Sequence, residues 1–271
     1  PKHGVSGVRN LLRVHERPIL GTIVKPKLGS TAKEHAKIAG ESWVGGLDAV
    51  KDDENLTNMK FNRFKDRVVA TLKARDKAEA KTGTRKVYFP NVTAPYYEMF
   101  DRAKFVKENG GEYIMVDLVT VGWSGVQALR DSNLNLFIHA HRAGHGMFTE
   151  LSFHGMSMLV LAKLARLVGV DQLHVGAIVG KMRGGAKEVE HIGEEITSDF
   201  VKPVDVDHVL SQSWKGIKPV FPVCSGGLHP GLVGSLMRHM GNDIIVQAGG
   251  GVHGHPGGTV KGAMAMRQAV D

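Results

Sequence analysis

Cysteine is almost missing from this chain. Cys224 stands alone among 271 residues, so no internal disulfide can form, and the composition fits a reducing compartment, with the cytoplasm as the expected location. No apolar stretch reaches the roughly 18 residues that a membrane-spanning helix needs, and no secretory signal opens the chain. Basic residues outnumber acidic ones, 35 to 27, yet they form no block, and neither zinc-finger spacing nor an aromatic-rich RNA-binding signature accompanies them. Nucleic acid is therefore not an expected partner, and a small anionic substrate is a simpler reason for part of the net charge of +8. Linkers and internal repeats are missing too. One domain remains, with 42% hydrophobic residues, enough for a large core.

What is present is regular. Apolar or alternating runs bounded by Gly, Pro, Asn or Asp predict strands at 19–25, 47–51, 86–92, 113–119, 136–141, 172–176, 219–225 and 244–248. Helical patterns lie between them, clearest at 31–43, 60–81, 94–109, 156–168, 186–197 and 231–240, with a short fourth crossover near 123–130 and a last helix from about Val260. Strict alternation predicts an α/β fold, a parallel (β/α)8 barrel of the TIM type. Parallel strands need helical crossovers, and the eighth can close on the first. Side chains at the C-terminal ends of such strands face the mouth where barrel chemistry takes place.

Every predicted strand has a polar or glycine-rich end there. In order these are Lys25 and Lys27; Lys51-Asp52-Asp53-Glu54; Asn91; Asp117; His139, His141 and Arg142 with His145 beyond; His174; Ser225-Gly226-Gly227; and Gly249-Gly250-Gly251. Any one has an ordinary structural explanation, but eight at one end do not. Strand alternation puts Lys51 and Asp53 on one side, and Glu54 joins them if the chain leaves the strand there, giving an oxygen-rich site suited to Mg²⁺ beside an amine. The two glycine clusters offer backbone N–H groups to a phosphate, while Arg142 and His174 offer a second anion site across the mouth. Two anion sites flanking a cation suggest a bisphosphate. Loop 176–185, with glycines at both ends, is expected to close as a lid carrying Lys181. Lys25 and Lys27 are expected to share a strand face, so that each lowers the other's pKa toward the general acid/base range.

Together these residues resemble the large subunit of ribulose-1,5-bisphosphate carboxylase/oxygenase (RuBisCO). The resemblance runs through nearly the whole chain. It rests on GTIVKPK from Gly21 to Lys27, GGLDAVKDDEN from Gly45 to Asn55, HAHRAGH from His139 to His145, the Lys181 loop, and SGGLHP from Ser225 to Pro230. Phrases such as HAHRA and Phe221-Pro222-Val223 are most similar to the archaeal, form III branch. The resemblance implies carboxylation, and oxygenation, of ribulose 1,5-bisphosphate to 3-phosphoglycerate through an enediolate, using CO₂, O₂ and Mg²⁺ in a homodimer or higher oligomer of dimers.

Position by position, the resemblance implies that an activating CO₂ carbamylates Lys51, which with Asp53 and Glu54 then holds Mg²⁺ and takes the C3 proton. Lys25 would act as acid/base at C2 with Lys27 supporting it, and His141 would assist hydration. Asn91 would hold substrate oxygens near the metal, and Ser225 would contact the sugar chain. Arg142 and His174 would bind one phosphate, and Gly226, Gly227, Gly249 and Gly250 the other. Lys181 would stabilise the new carboxylate. Ile23 stands where many plant-type relatives have Thr, and Val175 and Ala177 replace hydroxyl residues common in the family beside the Lys181 loop. The family's N-terminal domain and C-terminal tail are missing from this sequence, so the expectation is a barrel-domain fragment with little activity alone. Two alternatives remain: an enolase or isomerase of sulfur salvage on the same barrel, and a barrel that binds sugar phosphates without turnover.

Overall fold

A computed structural model describes residues 1–151, 153–179 and 185–271. In chain order its elements are α1 (Gly4–Leu12), β1 (Ile19–Ile23), α2 (Ala32–Val44), β2 (Ala49–Lys51), α3 (Phe64–Thr82), β3 (Val87–Phe89), α4 (Tyr96–Glu108), β4 (Tyr113–Asp117) and α5 (Leu118–Asp131). They continue through β5 (Phe137–His141), α6 (Gly146–Thr149), α7 (Met158–Val168), β6 (Gln172–Gly176), α8 (Ala186–Thr197), β7 (Phe200–Val201) and β8 (Gln212–Ser213). Last come β9 (Phe221–Ser225), α9 (Pro230–Met240), β10 (Ile245–Gln247), α10 (Gly250–His253) and α11 (Gly258–Gln268). Eight strands form one parallel sheet in the order β3-β2-β1-β10-β9-β6-β5-β4. The seam between β3 and β4 is closed by one bridge, Asn91 with Met115, so the sheet is a nearly closed barrel. All eight strands lie where the sequence predicts them.

Strand alternation divides the core in two. Inward-facing Ile19, Ala49, Val87, Phe89, Tyr113, Met115, Phe137, Phe221, Val223 and Ile245 fill the barrel, while Leu20, Val50, Tyr88, Ile114, Leu173, Cys224 and Val246 face out under the helices. Cys224 is 0% exposed there, and burial pushes its thiol up to about 12, which makes it inert. Local signals fix the helices. Thr31 and Glu34 cap α2 reciprocally, Ser157 caps α7, and Pro230 opens α9.

Three features differ from the sequence expectation. Helix α1 plugs the bottom of the barrel with Val8 and Leu12, and its N-terminal amides at His3 and Gly4 donate to Asp171 at 2.8 and 3.0 Å. The fourth crossover is not short: α5 runs 14 residues, with a kink at Gly122 (φ 74°) that only glycine accommodates easily. Strands β7 and β8 make a small antiparallel hairpin outside the barrel.

Candidate active site

The inward face of most strands changes from apolar to polar as it approaches the mouth, and there the strand-end residues converge. Lys25, Lys51, Glu54, His141, His174, Ser225, Gly226, Gly227, Gly249 and Gly250 line one cavity of about 580 Å³. A larger hollow of about 1040 Å³ lies around Arg13, Arg17, Asp48 and Arg267, away from this cluster, and the strand-end chemistry decides between them.

At the end of β2, Lys51 is 1% exposed and its amine donates to the Asp52 carbonyl at 2.9 Å, 3.6 Å from Glu54 Oε2. Burial pushes the amine's pKa below the usual lysine range despite Glu54, Asp53 and Asp117 nearby. Asp53 accepts from Lys25 Nζ at 2.8 Å, and burial, which alone would raise its pKa, is outweighed by the bonds from Lys25 and Asn55. The turn is held from behind by Asp52, which accepts from Arg67 Nε at 3.0 Å, the Asn91 amide at 2.9 Å and the Tyr88 hydroxyl at 2.5 Å. His35 Nε2 lies 3.1 Å from Asp52 Oδ1. Among the described residues no three His, Cys, Asp or Glu side chains are grouped to hold a metal.

His141 bridges the corner, 3.7 Å from Glu54 and 3.7 Å from Asp117, with burial pushing its pKa well down. Asp117 accepts from Asn91 Nδ2 at 3.3 Å, its Oδ1 accepts no hydrogen bond and faces His141 Nδ1, and burial raises its pKa to about 6. Opposite, His174 Nδ1 lies 2.9 Å from Ser225 Oγ and His174 Nε2 lies 2.9 Å from His139 Nε2. The Arg142 guanidinium rests against Gly176, where a Cβ would come within 2.9 Å of a guanidinium nitrogen. The two glycine loops meet at Gly251, where a Cβ would sit 2.3 Å from the Leu228 carbonyl.

Some predicted residues stand apart. The β1 ladder ends at Ile23, so alternation does not carry on to Lys27: Lys27 is exposed and does not line the cavity, and Lys25 pairs with Asp53 instead. Asn91 and Arg142 are buried beside the cavity without lining it. Lys181 lies outside the described residues. Sequence reading gave no role to Gln247, which is 1% exposed, lines the cavity, and has neither side-chain polar atom bonded. A glutamine inside an apolar strand run was its only signal.

A family model described as the ribulose bisphosphate carboxylase large chain, catalytic domain, matches residues 4–271. The chain belongs to the RuBisCO large-chain family. Ribulose bisphosphate carboxylase from Methanocaldococcus jannaschii is 55% identical over all of this chain, and the match covers 64% of that relative. Dimeric archaeal RuBisCO from Hyperthermus butylicus aligns with a TM-score of 0.94 at 47% identity, over 99% of this chain and 63% of its own. Octameric RuBisCO from Pyrococcus horikoshii, solved with sulfate ion, gives 0.92 at 47% identity, over 100% and 61%. This chain thus spans a little under two thirds of the relatives it matches. No helix among its described residues is long and apolar enough to cross a membrane.

Proposed function

We propose that this chain carries the carboxylating centre of a Mg²⁺-dependent ribulose-1,5-bisphosphate carboxylase that also admits O₂. The observation that carries the reading is Lys51: a buried amine held below its usual pKa, 3.6 Å from Glu54 and two residues before Asp53. Addition of CO₂ requires the neutral amine. Forming the new N–C bond releases one proton from the neutral amine and leaves an anionic carbamate, a hard oxygen donor. Asp53 and Glu54 alone give two carboxylates, so a carbamate on Lys51 is the third anionic ligand that this donor set wants, and the residues fit the ion. Mg²⁺ held there would polarise the oxygens at C2 and C3 of the sugar.

The chain's own groups supply the rest. A carbamate on Lys51 would supply the base for the C3 proton, Lys25 handles the proton at the C2 oxygen, and His141, between Glu54 and Asp117, moves a proton during hydration. Gly226, Gly227, Gly249 and Gly250 bind one phosphate through backbone N–H groups, while the Arg142 guanidinium attracts the other; His174, expected to join it, has both ring nitrogens turned to His139 and Ser225 and only lines the cavity. Asn91 supports the metal corner, Ser225 meets the sugar chain, and Lys181 stabilises the carboxylate formed on carboxylation to 3-phosphoglycerate. The dimeric and octameric relatives support an assembly built of dimers. Fixation of radiolabelled CO₂ onto ribulose bisphosphate by the whole protein tests the reading. Solvent exchange at C3 without fixation would favour an enolase or isomerase.

A further inference from the structure

We propose that Gln172, acting through His139 and His174, fixes the direction of the Ser225 hydroxyl and so makes Ser225 a hydrogen-bond acceptor toward a hydroxyl of the bound sugar. This rests on reading the cavity as a sugar bisphosphate site. Four hydrogen bonds run in series from the barrel floor to its mouth. Gln172 Nε2 donates to the Tyr113 hydroxyl at 3.0 Å, and Gln172 Oε1 lies 2.7 Å from His139 Nδ1. His139 Nε2 then lies 2.9 Å from His174 Nε2, and His174 Nδ1 lies 2.9 Å from Ser225 Oγ. Tyr113, Gln172 and His139 are 0% exposed and His174 is 2% exposed, so the series is shielded from bulk solvent.

Burial pushes the pKa of His139 down to about 3 and that of His174 well down, so each ring is neutral at physiological pH, with one N–H and one bare nitrogen. A ring-to-ring hydrogen bond needs one of each. A single choice therefore sets the whole series. Gln172 Oε1 can only accept, so the His139 hydrogen sits on Nδ1 and its Nε2 is bare. That bare nitrogen accepts from His174 Nε2–H, which leaves His174 Nδ1 to accept from the Ser225 hydroxyl. The hydroxyl hydrogen is turned inward, and its lone pairs face the cavity that Ser225 and His174 line. Such an acceptor suits a sugar C–OH and mismatches a carbonyl or phosphate oxygen, which can only accept. Turning the Gln172 amide over would reverse every hydrogen, so Gln172 is the positioning residue.

Neutron diffraction from crystals of the whole protein, exchanged into heavy water, reads the series directly. Deuterium is expected on His139 Nδ1 and His174 Nε2, with none on His174 Nδ1; deuterium on His174 Nδ1 would overturn the proposal. In steady-state kinetics, Gln172→Met removes the deciding acceptor and should raise KM for ribulose bisphosphate about tenfold, the weight of one hydrogen bond, while kcat changes much less. An unchanged KM in a folded variant would also overturn it. If wild-type protein bound no ribulose bisphosphate, the parent reading and the sugar hydroxyl would fall together, while diffraction would still decide the hydrogen placement.

Discussion

Lys25 Nζ lies 2.8 Å from Asp53 Oδ2, so a lysine leaving β1 holds a carboxylate leaving β2. One expected Mg²⁺ ligand is thus occupied by a cation before any metal arrives. Lys25→Met should therefore tighten Mg²⁺ binding by about tenfold, the order of one charge-assisted hydrogen bond on a partly exposed lysine, while abolishing turnover. Calorimetric titration with Mg²⁺ in the presence of CO₂ checks the sign. Weaker binding in the variant would mean that Lys25 organises the ligand instead of competing for it.

The carbamate proposed on Lys51 should form in a pH-dependent way. Its folded pKa lies below the unfolded value of 10.5, so the cost of burying the ammonium is present at low pH and is relieved as pH rises through the folded pKa. At fixed CO₂, the carbamate signal from ¹³C-labelled CO₂ should grow with pH and be lost in Lys51→Met.

Asp117 works in the opposite sense on stability. Its folded pKa of about 6 exceeds the unfolded 3.8, so the folded state binds more protons between them and stability falls as pH rises through that window. Asp117→Asn should stabilise the metal-free protein by at most roughly 3 kcal/mol above pH 6, at about 1.4 kcal/mol per pKa unit, with the difference vanishing toward pH 4. Denaturant unfolding at the two pH values measures it.

Arg67 is fully buried, and its guanidinium ties Asp52 to the carbonyls of Leu56, Thr57 and Asn62. Arg67→Met strands the Asp52 carboxylate and should cost about 3–5 kcal/mol, whereas Tyr88→Phe removes one donor and should cost about 1–3 kcal/mol. An unfolding midpoint for Arg67→Met close to that of the unsubstituted protein would show that the Arg67–Asp52 pair carries little of the turn's stability.

Gly251→Ala tests the meeting of the glycine loops. The new Cβ would fall 2.3 Å from the Leu228 carbonyl and 3.0 Å from the His229 Cα, both backbone atoms that cannot swing aside. Overpacking of that kind costs about 1–3 kcal/mol, and loss of affinity for inorganic phosphate should accompany it.

The barrel was legible because parallel strands buried on both faces read as apolar runs, and their polar ends stood out against them. Helix α1 was not, because its role as a plug depends on Phe137 and Phe221, distant in sequence. In the site, single residues could be picked out but not their partners. Periodicity put Lys25 beside Lys27, whereas the turn beyond Ile23 put it beside Asp53. The order Tyr113, Gln172, His139, His174, Ser225 crosses four strands, and no spacing along one chain encodes it.

The barrel's one weakly laced seam falls at Asn91 and Met115. The Asn91 backbone N–H also donates to the Asp52 carboxylate and its side chain donates to Asp117, so the residue that fastens the cylinder stands beside the proposed metal corner. Breathing of the sheet should begin there, and amide hydrogen exchange should be faster along β3 and β4 than along β9 and β10. Magnesium, by drawing Glu54 and its neighbours together, would then act as a rivet for the whole cylinder as well as a reagent at its mouth.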